Sequence, residues 1–132
     1  IREGSSIRQG LEKMQRHGYT CLPVISKDGR FLGCINEGDF LWNILSMGSV
    51  TTKDMERARI DDIISDRYTP VRVTTTMEEL LRHATEQNFV PVVDDRDIFM
   101  GIVTRRALLT YCLKNGVETE SLPTAEYVRR ES

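Results

Sequence analysis

The chain has 132 residues, 39% of them apolar and 29% charged, which fits one compact domain or two small repeats sharing a core. A net charge of −2 lacks the basic excess of a general nucleic-acid binder, and no apolar run approaches the roughly 18 residues that span a bilayer. Three cysteines, Cys21, Cys34 and Cys112, form neither a CxxC pair nor a closed disulfide set, so they read as reduced, mostly buried thiols of a cytoplasmic protein.

The chain opens at Ile1 with no methionine and no visible signal peptide, so the start of the first folded element is expected to be incomplete. Ser6-Ile7-Arg8-Gln9 has the form of a capping box. Ile7, Leu11 and Met14 then follow at helical spacing until His17-Gly18 supplies a cation and a residue that accepts positive φ. "CLPVI" and "FLGCI" read as short strands joined by the turn "SKDGR", in which Asp28-Gly29 is a strong turn signal. "GDFLWNILSM" closes this stretch as a helix. A polar segment follows in which "MERAR" reads as a solvated linker, Asp61 to Ser65 as a short helical piece, and Val71 with Val73 as a strand.

Thr76-Met77-Glu78-Glu79 then repeats the capping-box form, with Met77, Leu80, Leu81 and Ala84 along one helix face. "VPVV" and "FMGIV" are strands about the turn "DDRD", and "RRALLTYCLKN" is a closing helix that ends near Asn115-Gly116. The final "ESLPTAEYVRRES" reads as a tail or an extra helix.

Sliding the chain on itself exposes a duplication. Pro23 and Pro91, Phe31 and Phe99, Gly33 and Gly101, and Leu41 and Leu109 all stand 68 residues apart. "PVISKDGRFLGCINEGDFL" lies over "PVVDDRDIFMGIVTRRALL" without a gap. Upstream, "SSIRQGLEKMQRHG" matches "TTMEELLRHATEQN" at an offset of 70, so the second copy is two residues shorter between helix and proline, and "GYTCLP" becomes "NFVP". The expected division is repeat 1 at 1–50, a linker at 51–59, repeat 2 at 60–116, and a tail or extra helix at 117–132. The expected class is α/β in the α+β sense: two helix-strand-strand-helix repeats with small sheets. Neither can bury both faces alone, so they are expected to pair about a pseudo-twofold axis.

The copies differ where their closing helices begin. Asn36-Glu37-Gly38-Asp39 offers a cap and two carboxylates, whereas Thr104-Arg105-Arg106-Ala107 keeps the cap and reverses the charge. A cation at a helix start is unfavourable by roughly 0.3–1 kcal/mol. A bound phosphate resolves this, through helix N–H groups, the Thr104 hydroxyl and guanidinium forks. The competing account pairs Arg105 or Arg106 with Asp94, Asp95 or Asp97 of the hairpin turn as surface ions worth about 0–1 kcal/mol.

"GYTCLPVIS" and "FVPVVD", followed by "GCINEGD" and "GIVTRRA", resemble the signature of cystathionine-β-synthase (CBS) domains in tandem, with "IDDIISD" where that family has its linker helix. The resemblance implies a cleft between the copies that binds adenine nucleotides. Residues beside each Pro-Val strand hold the base, the Thr or Ser at the helix start meets phosphate or ribose, and an acid three positions later binds ribose. Carried over, the candidates are Tyr19, Thr20, Cys21, Asn36 and Asp39 in the first copy. In the second they are Tyr68, Thr69, Phe89, Val90, Pro91, Thr104, Arg105 and Arg106. Each set is incomplete: the first has Asn36 in place of Thr or Ser, and the second has Ala107 in place of the acid. Tyr19, Tyr68 and Phe89 are candidates for stacking on a base, with core packing the alternative.

The second copy further resembles stand-alone bacterial CBS pairs that bind cyclic di-AMP, through "NFVPVV" and the run from Phe99 to Arg106. In that group the arginine pair faces the ligand phosphates. A cyclic dinucleotide has no free 3′-hydroxyl, which accounts for the lost acid at Ala107. The function implied is a regulatory module that senses an adenine nucleotide (AMP, ATP or cyclic di-AMP) and signals to an unknown target protein. A homodimer through helices carrying Phe40, Leu41, Trp42, Ile44 and Leu45 is also implied. The alternative is a ligand-free dimerisation module from a larger transporter or enzyme.

No cofactor, nucleic acid or membrane is expected as a partner. His17 and His83 have no metal-ligand spacing, and the "DDRD" turn reads as a turn rather than a Mg²⁺ site. None of the hydrolase, P-loop, dinucleotide or zinc-protease motifs occurs, and His17 with Cys21 lacks a third orienting group, so no catalysis is expected.

Overall fold

A computed structural model of the chain describes residues 1–48 and 51–116, so the expected tail at 117–132 lies outside the described residues. The chain forms two compact units, Ile1–Arg67 and a second from Tyr68 onward. The first contains α1 (Ile7–His17), β1 (Cys21–Ile25), β2 (Phe31–Asn36), α2 (Glu37–Ser46), α3 (Thr52–Arg57) and a 3-10 turn at Ile60–Ile63. The second contains β3 (Val71–Arg72), α4 (Met77–Glu86), β4 (Phe89–Val93), β5 (Phe99–Thr104) and α5 (Arg105–Asn115). This is the α+β class, built from two antiparallel hairpins.

Local chemistry fixes each element. Ser6 accepts the Gln9 N–H while the Gln9 side chain accepts the Ser6 N–H, completing the capping box of α1, and Gly18 ends that helix at φ 67°. Thr76 caps α4 through the Glu79 N–H at 3.2 Å. In the sheets, Pro23 pairs with Cys34 and Pro91 with Ile102, and each hairpin carries a bulge at the matching place, Val24/Ile25 and Val92/Val93. β3 adds to β4 in parallel, Val71 opposite Val92; in the first unit a parallel bridge from Arg2 to Ile25 stands at the corresponding position. Alternating apolar residues on these strands meet the helix faces in two separate cores.

Two features of the linking stretch depart from the sequence expectation. "MERAR" is not a solvated linker. Residues 52–57 form α3, capped by Thr51, with Met55 and Ala58 packed on the first core and Glu56 accepting from Arg8. A three-residue spacing of two apolar residues gave this segment a face too short to register as a helix. The helical piece expected at 61–65 is the 3-10 turn at Ile60–Ile63, and Ile60 is fully buried in the first unit. Although residues 60–67 open the second copy in sequence, they pack on the first unit. Ile60 N–H donates to Ser5 O at 2.9 Å, and Ser65 exchanges two bonds with Cys34 at 3.0 and 2.9 Å. Gly33 permits this approach: a Cβ there would stand 2.5 Å from the Ser65 carbonyl oxygen, and its φ is 151°.

The cores solve one packing problem in two ways. Gly10 on α1 faces Phe40 on α2, and a Cβ on Gly10 would meet the ring at 2.7 Å. The corresponding residues in the second unit are Leu80 and Leu108, both buried. A small–large pair in the first unit stands where the second has two medium residues, so the two cores are filled by differently shaped side chains. Gly10→Leu should therefore overpack the first unit by roughly 1–3 kcal/mol. Phe40→Leu alone should open a cavity, and the double variant should recover much of both losses. A urea-denaturation double-mutant cycle should show a coupling of about 0.5–3 kcal/mol; additive losses would refute the exchange.

Candidate functional site

In the second unit, β5 runs directly into α5, so the helix cap stands at the end of the sheet ladder. Thr104 is that cap: its Oγ1 accepts the Ala107 N–H at 3.1 Å. Thr104 pairs across the ladder with Phe89, the first residue of β4. The Phe89 ring meets Tyr68 at a centroid distance of 4.9 Å, tilted by 45°. Thr69 is exposed, and both its N–H and its C=O bond to the Gln87 side chain. Val90 and Pro91 continue β4 as buried residues. The fold thus gathers Tyr68, Thr69, Phe89 and Thr104 around one strand-to-helix junction, with Val90 and Pro91 behind it in the sheet.

The two arginines part company. Arg105 folds back along α4, its Nε donating to Ala84 O at 2.7 Å and Nη1 to Asn88 Oδ1 at 3.4 Å. It meets a helix-end carbonyl that carries partial negative charge, a partner sequence reasoning did not consider. The Arg106 side chain is exposed and has no hydrogen bond or ion pair among the described residues. Beside it lies a groove of about 480 Å³ whose lining includes Thr104, Arg106, Thr110, Tyr111 and Lys114, with no carboxylate among the described residues. Lys114 was missed in the sequence, although Arg106, Thr110 and Lys114 recur at four-residue intervals along one side of α5.

The hairpin acids do not neutralise these cations. Asp94 Oδ1 accepts the Arg96 and Ile98 N–H groups at 2.8 and 3.0 Å, and Asp97 pairs with Arg72 at 3.5 Å. The physical reason is distance: the six residues of β5 separate the turn from the helix start by about 17 Å. The same bonds support reading "DDRD" as a turn. Among the described residues, no group of three or more His, Cys, Asp or Glu is placed to hold a metal ion.

The first unit uses its corresponding residues on itself. Asn36 Oδ1 accepts the Asp39 N–H at 2.8 Å and Asp39 Oδ2 accepts the Asn36 N–H at 2.9 Å, a closed capping box. Arg67 Nη2 reaches both Asp39 oxygens at 2.9 Å while its Nε donates to Ser65 Oγ at 2.8 Å. Thr20 O accepts the Glu37 N–H at 3.1 Å, and Tyr19 stacks on His17 at 5.0 Å. Cys21 is buried, and its hydrogen bond with Cys34, together with burial, pushes the Cys34 thiol up. Ladder register places Cys21, not Tyr19, opposite the cap residue Asn36, so Cys21 holds the place of Phe89.

Two helix-strand-strand-helix units, each with a capped helix springing from its hairpin, define a tandem α+β repeat protein. A family model described as CBS domain matches residues 1–46 and 60–114, and the chain belongs to the CBS domain family. It is 28% identical over 105 residues to a cystathionine beta-synthase of Dictyostelium discoideum, covering 80% of this chain and 21% of that protein. It is 20% identical over 109 residues to the cyclic di-AMP receptor B of Bacillus subtilis, covering 83% of this chain and 74% of that one. Its fold is similar to that of the Listeria monocytogenes CbpB protein solved in complex with c-di-AMP. That match has a TM-score of 0.75 at 23% identity, over 86% of this chain and 85% of the other. The chain spans about a fifth of the length of the first of these relatives.

Because Asp39 serves both the box and Arg67, Asp39→Ala should cost about 1–2 kcal/mol in chemical denaturation. Arg67→Ala, which removes only the exposed half of the arrangement, should cost less than 1 kcal/mol. Equal losses would show that the capping bond contributes nothing.

Proposed function

We propose that this chain is a regulatory CBS module, not an enzyme, that binds an adenine nucleotide through its second repeat and signals to a partner protein. Cyclic di-AMP is the preferred ligand. The observation that carries this reading is Arg106: an exposed cation at a helix start that shares a groove with Lys114, with no carboxylate among the described residues that line it. Two cations at that groove favour a phosphate-bearing ligand, and the Thr104 junction brings Tyr68 and Phe89 within reach of a base. The named relatives that bind c-di-AMP support the cyclic ligand, as does Ala107, which supplies no acid for a ribose 2′,3′-diol. Closure of the corresponding first-unit residues on Arg67 supports one asymmetric site. Three free cysteines support a cytoplasmic setting, and among the described residues no helix is long and apolar enough to cross a membrane.

A thermal-shift panel of AMP, ATP, S-adenosylmethionine, NAD and cyclic dinucleotides tests this. Cyclic di-AMP at a hundredfold excess over Kd should stabilise the chain by about 2.7 kcal/mol, and Arg106→Ala should abolish that response. A response unchanged in Arg106→Ala removes the phosphate role.

A second reading, a dimerisation module within a longer protein, is favoured by one observation. Leu41 and Leu45 on α2 are 55% and 61% exposed, and their counterparts Leu109 and Leu113 on α5 are 64% and 88% exposed, with Trp42 alongside at 71%. Large apolar side chains repeated at matching positions of both closing helices suit a second copy. Both readings hold together if the nucleotide-binding chain is a homodimer. Leu45→Glu with Leu113→Glu should convert a dimer to a monomer in light scattering; an unchanged mass would exclude these helices as the interface.

A further inference from the structure

Gln87 lies between α4 and β4, is only 5% exposed, and belongs to none of the motifs that define the repeat. Its Oε1 accepts the Thr69 N–H at 3.0 Å, and its Nε2 donates to Thr69 O and to Phe89 O, each at 3.2 Å. The amide orientation is forced, because reversing it would set an NH₂ against an N–H and an oxygen against two carbonyls. The segment it grips has no ladder to hold it. β3 pairs with β4 only from Val71, and Pro70 has no N–H with which to extend the pairing. One side chain therefore substitutes for the missing backbone pairing of Thr69 and ties it to the first residue of β4. Tyr68, immediately before Thr69, is thereby held against the Phe89 ring.

Among the described residues of the first unit there is no such clamp. There the corresponding stretch is two residues longer, α1 ends on Gly18 in the left-handed conformation, and Tyr19 stacks on His17. The shortened connection and the buried amide belong to the unit with the open cationic groove.

We infer that Gln87 is the positioning residue of the second unit. Its amide fixes Tyr68–Thr69 beside the start of β4, so that Tyr68 and Phe89 form a rigid aromatic wall for the base of the nucleotide. This rests on the proposed function, and its own failure is separable from failure of that reading.

The test uses the whole chain, with titration calorimetry against cyclic di-AMP and amide exchange of Thr69 by NMR. Gln87→Met keeps the size and removes all three bonds. It should weaken cyclic di-AMP binding at least tenfold and speed Thr69 exchange. Thr76→Ala, which loses the cap at the far end of α4, lowers the melting temperature without touching the clamp and should change neither readout. Should Gln87→Met fail to fold, Gln87→Glu retains an acceptor for the Thr69 N–H and loses both donations, and should weaken binding in the same direction. Unchanged affinity in a folded Gln87 variant, or Thr69 exchange as slow as in the parent, overturns the inference. A parent chain that binds neither cyclic di-AMP nor AMP overturns the proposed function instead, and Thr69 exchange then decides the clamp by itself.

Discussion

The candidate site of this molecule hangs on a strand that becomes a helix without a loop between them. Thr104 ends β5 and caps α5, and Asn36 ends β2 and caps α2. Such a junction places the first N–H groups of the helix, and the positive end of its dipole, at the rim of a sheet whose partner strand begins directly opposite. The cap residue, the first residue of the Pro-Val strand and the helix's first turn are thus neighbours by construction. Whatever charge the first turn carries decides what that rim can hold.

The duplicated scaffold answers the charge question twice, differently. In the first unit the dipole is met by Asp39, and the carboxylate is in turn met by Arg67, so the rim is neutralised within the chain. In the second, Ala107 removes the acid and two arginines arrive. Arg105 turns to the carbonyl end of α4, where a cation is welcome, and only Arg106 is left facing outward. The pair divides: one guanidinium bonds to the carbonyl end of α4, and the other, without a partner among the described residues, lines a groove with Lys114.

Much of this was legible from residues alone. The helix caps, the Pro-Val strands, the hairpin turns and the 68-residue offset each have a local cause that a sequence displays, and their agreement in two copies made the fold readable. The reciprocal capping box, however, forms on α1 and not on α4, where Glu79 turns to Arg82. What escaped were contacts between segments distant in sequence. Arg67 reaching Asp39, Ile60 entering the first core, and Arg105 finding Ala84 O depend on where chains pass one another. Gly10 was a visible oddity, a glycine within a helix, but only the ring of Phe40 explains it. The competing account, in which Asp94 or Asp97 pairs with the arginines, fails because neighbours in sequence stand at opposite ends of a strand.

Among the described residues the Arg106 side chain has no partner, and a cation at a helix start is repelled by the dipole, which lowers the stability of the unit that carries it. The two cores are alike in extent, each built on seven buried apolar residues among those described. A ligand that supplies the anion removes the repulsion and adds its own binding free energy in one step. Stability gained on binding is then concentrated in one of two otherwise similar units. A regulatory module needs that asymmetry, because a ligand shifts an equilibrium only as far as it distinguishes between states.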